Sequence, residues 1–136
     1  MKKIQLVCLM LISILLASCA EERFSEIDPQ WSFIATMNIL EPSLQFFTED
    51  GELLTAWQFE KAYTGAALVG NDKVVVYGHQ LEKALLYELS SGKLLTEIQA
   101  GVGTTNAYFD KVSGKLFLTN SKTNELHRFS IDGILE

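Results

Sequence analysis

The chain has 136 residues, of which 48% are hydrophobic, and its 11 basic and 17 acidic side chains give a formal charge of −6. An acidic surface repels nucleic-acid phosphates and anionic headgroups, so no nucleic-acid partner is expected. The two cysteines, Cys8 and Cys19, both lie near the start, and the rest of the chain has no thiol for a disulfide, a metal cluster or a nucleophile.

Residues 1–20 read MKKIQLVCLMLISILLASCA: two lysines, an apolar run from Ile4 to Leu16, then small residues. This is the order of a helical secretory signal. The apolar run of 13 residues is short of the roughly 20 that a membrane-spanning helix needs. Leu16-Ala17-Ser18-Cys19 resembles the lipobox of bacterial lipoproteins, which implies removal of residues 1–18 and attachment of lipid to Cys19. The alternative is an ordinary signal with an incidental cysteine. Two or three acyl chains hold a protein on a membrane stably, where one is marginal. The mature chain would keep 9 basic and 17 acidic residues, a charge of −8. Residues 19–30, polar with one proline, read as a tether, and 31–136 as the folded region.

From residue 31 on, the pattern predicts short strands and no helix. Strands are expected near 31–37, 43–49 and 52–58, then near 66–69, 73–78, 84–90 and 93–98, then near 105–109, 115–119 and 125–131, with a further one beginning at Ile134. Lys73 to Gly78 is β-branched and aromatic behind the turn-forming Gly70-Asn71-Asp72. Leu85, Tyr87 and Leu89 alternate with Leu86, Glu88 and Ser90, which predicts one buried and one mixed face. The phrase DGELLTAW at 50–57 returns as SGKLLTEI at 91–98, 41 residues on, and Asp132-Gly133 follows after another 41. Gly51, Gly92 and Gly133 are thus expected as turn glycines, with the paired leucines covering the neighbouring strand. Four short strands in about 41 residues is the layout of a propeller blade.

Leu116-Phe117-Leu118-Thr119-Asn120, Asn124-Glu125-Leu126 and Phe129 to Gly133 resemble the YVTN-type repeat of extracytoplasmic β-propellers, and Tyr87 to Leu95 is similar to the quinoprotein-like repeat. The resemblance implies an all-β fold of four-stranded antiparallel blades: a partial blade at 31–58, a full blade at 66–98 and an incomplete one at 105–136. Closed propellers have about four to eight blades, so three form an open arc. The expectation is either the first portion of a longer protein or an arc that completes itself by self-association.

Residues that could carry chemistry are sparse. His79 follows a strand end and could be a loop ligand or a solvated turn residue; His127 has no second ligand at zinc spacing. Asn38, Asn71, Asn106, Asn120 and Asn124 recur at strand ends, where they could bind a ligand, Asn120 above all, or simply form turns. Gly101-Val102-Gly103 lacks the lysine and helix of a phosphate loop, and Trp31 and Trp57 read as packing residues. No catalytic residue, metal or cofactor is called for. The expected function is a lipid-anchored extracytoplasmic binding or scaffold module; the alternative is a propeller-type enzyme, lactonase-like or quinone-dependent, whose catalytic groups lie in other blades.

Overall fold

The computed structural model describes residues 23–136, so the expected signal helix and Leu16 to Cys19 lie outside the described residues. Among the described residues the protein is all-β. Its ten strands are β1 (Ile34–Asn38), β2 (Ser43–Phe47), β3 (Leu53–Gln58), β4 (Gly65–Val69), β5 (Lys73–Tyr77), β6 (Lys83–Glu88), β7 (Leu94–Gln99), β8 (Thr104–Asp110), β9 (Lys115–Asn120) and β10 (Glu125–Phe129). They form three antiparallel meanders, β1-β2-β3, β4-β5-β6-β7 and β8-β9-β10. Each strand falls within a few residues of its expected position, because β-branched and aromatic runs between Gly, Asn and Asp turns leave the chain few other choices.

The turn glycines have left-handed backbone, with φ of 85° at Gly51, 65° at Gly92 and 80° at Gly133. The first and third turns are built alike. The Thr48 and Ser130 N–H groups donate to the Glu52 and Ile134 carbonyls at 2.8 Å, and their side-chain oxygens accept the Glu52 and Ile134 N–H groups at 3.1 and 3.2 Å. The middle turn is one residue longer, with Glu88 N–H on the Lys93 carbonyl.

The doubled leucines do something other than cover a strand. Phe46 and Phe47 pair with Thr55 and Leu53, and Leu86 and Tyr87 pair with Thr96 and Leu94, so Leu54 and Leu95 are the extra residues of two β-bulges. Both are exposed, as is Leu53, and only Leu94 packs inward.

The sheets stack, and the middle one is covered on both faces. Val74, Val76, Tyr87 and Leu89 meet Leu44, Phe46 and Trp57 of the first sheet. Val75, Tyr77, Ala84, Leu86 and Ile98 meet Leu116, Leu118 and Phe129 of the third. Successive residues of a strand point to opposite faces, so this double coverage turns Val74 to Tyr77 into an uninterrupted buried run. It also buries Leu86, expected on a mixed face, completely. The second sheet meets the third chiefly through β4 and β8, and the first through β1 and β4.

The chain ahead of β1 is docked rather than free. Expected within the tether, residues 23–28 lie along the turn after β6: Phe24 N–H donates to the Gly92 carbonyl at 2.9 Å and Ile27 N–H to the Leu89 carbonyl at 2.8 Å. Ile27 is buried, and Phe24 stacks on Trp57 with ring centroids 5.1 Å apart and planes 10° apart. Two apolar side chains in an otherwise polar segment account for the docking. Trp57 is a core residue as expected, whereas Trp31 is 54% exposed, because it sits on a turn closed by its N–H to the Asp28 carbonyl.

Candidate functional site

Where the first and second sheets part, a cleft of about 710 Å³ opens. Its apolar wall is aromatic, from Phe24, Phe59, Tyr63 and Tyr87, with Leu81 and Leu85 beside them. The rings support one another: Phe24 lies 5.2 Å from Phe59 and 5.3 Å from Tyr87, and Phe59 lies 5.1 Å from Tyr63. Exposed charges form the rim, with Glu60 and Lys61 after β3, Glu82 ahead of β6, and a Lys83 to Glu97 ion pair joining β6 to β7. A desolvated aromatic wall with an ionic rim can hold an amphipathic ligand, the wall taking its apolar part and the rim fixing its orientation.

The tyrosines of the wall are harder to ionise than a free phenol. Burial, then the neighbouring Tyr63 and the Glu97 carboxylate, push Tyr87 up to about 12 from an ordinary value near 10; burial and then Glu97 raise Tyr63 as well. A phenol that holds its proton more tightly when folded contributes stability that is whole below the unfolded value near 10 and is lost as pH rises toward about 12. Tyr87→Phe is therefore expected to stay folded at neutral pH and to unfold at higher pH than the parent. Tyr63 and Tyr77, also raised by burial, keep part of the alkaline transition in place. The test is an alkaline titration followed by far-ultraviolet circular dichroism, and a midpoint that does not move would mean that Tyr87 does not govern it.

Most residues singled out from the sequence serve the fold. The His79 side chain is exposed, while its backbone accepts from Gly103 N–H at 2.8 Å and donates to Thr64 Oγ1 at 3.2 Å. Asn120 is buried and hydrogen-bonded at both polar atoms: Nδ2 donates to the Val102 carbonyl at 3.1 Å, and Oδ1 accepts from the Lys122 and Thr123 N–H groups at 3.0 and 3.2 Å. It therefore ties the β9–β10 turn to Gly101-Val102-Gly103. Asn38 accepts from Leu40 and Glu41 N–H, and Asn124 takes a left-handed φ of 57°. His127 reaches Glu125 Oε2 at 3.1 Å, and hydrogen bonds from Thr123 and then His127 hold the Glu125 carboxyl below its usual range. Among the described residues no three His, Cys, Asp or Glu side chains gather as a metal site.

Sequence reasoning missed the cleft. Its lining comes from Phe24, from within 58–63 and 80–87, and from Glu97 and Val102. The legible signal was the pair Phe24 and Ile27, apolar within an otherwise polar stretch. No protein-family model matches the chain, and no curated protein does either.

Proposed function

We propose that the protein is a lipid-anchored, extracytoplasmic binding module built from propeller-type repeats, which takes an extended peptide carrying an aromatic or large aliphatic residue into the cleft beside Tyr63 and Tyr87. The observation that carries the ligand class is the occupant of the adjoining groove. The chain's own segment from Phe24 to Ile27 lies there, held by two backbone hydrogen bonds with one aromatic ring inserted. The cleft shares Phe24, Phe59 and Tyr87 with that groove and offers the same kind of wall. Binding of an extended segment through main-chain bonds, with pockets for alternate side chains, is a general recognition mode.

Support for the repeat reading comes from strand register. The pair Ala35 with Phe46 is matched 40 residues on by Val75 with Leu86, and 42 further on by Phe117 with Arg128. A uniform 41-residue spacing would align Ala35 with Val76 and so turn β1 over, since one residue of slip moves every side chain to the opposite face. The bulges at Leu54 and Leu95 stand 41 apart, which is what DGELLTAW and SGKLLTEI have in common. Support for the anchor is Leu16-Ala17-Ser18-Cys19 behind a basic and then apolar start.

Two measurements test the two halves of this reading. Metabolic labelling with palmitate is expected to mark the parent and not Cys19→Ser, and a parent that remains unlabelled and unattached to membrane refutes the anchor. Short peptides with a single aromatic residue, titrated onto the detergent-solubilised full chain, are expected to bind saturably, and Tyr63→Ala is expected to weaken them about tenfold, or ~1.4 kcal/mol. Peptide binding that Tyr63→Ala leaves unchanged, or no saturable binding at all, refutes the cleft as a peptide site.

A further inference from the structure

The second sheet is sandwiched, but the outer faces of the first and third are open, and the open residues occupy the positions that are covered in the second. On its side toward the third sheet, the second presents the paired row Ala67, Val75 and Leu86, which is buried or partly buried there. The same row in the third sheet is Tyr108, Phe117 and Arg128, with Leu126 beside it paired to Thr119. Here Tyr108 is 63% and Leu126 62% exposed, and with Phe117 they line a shallow groove of about 320 Å³. On its side toward the first sheet, the second presents Val74 paired with Tyr87, both buried. Its counterpart in the first sheet is Ile34 paired with Phe47, which pairs in turn with Leu53; Ile34 is 51% and Leu53 57% exposed, whereas Leu94, the counterpart of Leu53, packs inward.

The two open faces are thus of complementary kinds. One matches a front that buries itself under the next sheet, and the other matches a back that buries itself on the preceding sheet. We infer that the occupant of both is a second copy of this chain, the third sheet of each copy stacking on the first sheet of the other. Such a contact repeats one the chain already makes twice internally. Each sheet of an antiparallel stack gains from burying its apolar face against another, and exposed patches of this kind mark interaction sites. Two copies supply six sheets, inside the range of about four to eight at which propellers close. The interface is head-to-tail, and with two copies it closes instead of growing into a filament. The inference rests on the propeller reading of the three sheets.

The test is the mass and shape of the detergent-solubilised full chain, by light scattering and small-angle X-ray scattering. The expected particle holds two copies in a ring. Tyr108→Glu and Ile34→Glu are each expected to halve the protein mass, while Leu40→Glu, at a residue on an exposed turn, leaves it unchanged. An equimolar mixture of Tyr108→Glu and Ile34→Glu is expected to regain two copies, because one of the two head-to-tail interfaces then has both faces intact. Chains that had merely misfolded would not recover on mixing. A parent that is a single copy with a curved outline overturns the second-copy inference and leaves the propeller reading standing, whereas a single copy with a straight stack of sheets overturns both. A mass that climbs with concentration, or a mixture that stays at one copy, overturns the closed pair.

Discussion

Trp57→Ala is expected to lower the unfolding free energy by about 3–5 kcal/mol, the usual cost of emptying a buried tryptophan site. A domain of this size holds only about 5–15 kcal/mol in all. Trp57 is fully buried and is the point at which three parts of the chain meet. Its ring packs against Phe24 of the docked segment, Phe46 of the first sheet at 5.0 Å and Tyr87 of the second at 5.6 Å. Its Nε1–H donates to the Ser25 carbonyl at 2.9 Å. Truncation leaves a cavity at the sheet interface and removes the surface on which Phe24 stacks, and the surrounding strands cannot collapse into the space without shifting register. Trp57→Phe separates the two contributions, because it keeps most of the ring contact and leaves the Ser25 carbonyl without its donor, at about 0.5–1.5 kcal/mol. Urea unfolding followed by far-ultraviolet circular dichroism measures both variants. A loss below about 1 kcal/mol for Trp57→Ala would mean that the site is not packed to interior density.

How much of this was legible in the sequence depended on whether the determining contacts were local. Strand and turn positions follow from neighbouring residues: the Val74 to Tyr77 run, the Gly70-Asn71-Asp72 corner, and the glycines at 51, 92 and 133 with positive φ. Face assignment in β6 was misread because its alternation is overwritten: Leu86 and Tyr87 are both buried, each against a different neighbouring sheet. A period-2 pattern reports one buried face only when the other is wet. The bulges were hidden for a different reason. Leu-Leu-Thr reads equally well as three regular strand residues, and only pairing with Phe46 and Phe47 reveals that Leu54 is extra.

The cleft was the least legible feature, since it exists only where sheets from distant segments diverge. The first and second sheets touch at β1 and β4, and the cleft lies by β3, β6 and β7, away from that edge. No local pattern encodes the angle between sheets. What could have been read is that Phe24 is a large aromatic residue in an otherwise polar stretch, and that Tyr63 stands two residues ahead of the small, crowded strand Gly65-Ala66-Ala67.

Gly92→Ala is expected to cost several times as much as Gly51→Ala, although both glycines have positive φ. A left-handed conformation costs a residue with a Cβ roughly 1–2 kcal/mol. At Gly51 that is the whole effect, because a Cβ there meets nothing within 4 Å. At Gly92 the added Cβ would stand 2.0 Å from the Phe24 carbonyl oxygen and 2.5 Å from its carbonyl carbon. Those are backbone atoms, so no rotamer change relieves the clash, and the segment must leave. Leaving breaks the Phe24 N–H bond to Gly92, withdraws the ring from Trp57, and removes the Ser25 carbonyl from the indole Nε1–H. Gly92→Ala therefore removes two constraints at once, the turn and the docked segment, and it also strips Phe24 from the wall of the cleft. The expected signature is a lowered urea midpoint together with faster tryptic cleavage after Arg23, while Gly51→Ala lowers the midpoint by the conformational cost alone and leaves cleavage unchanged. Equal cleavage rates in the two variants would show that the segment is not held at Gly92.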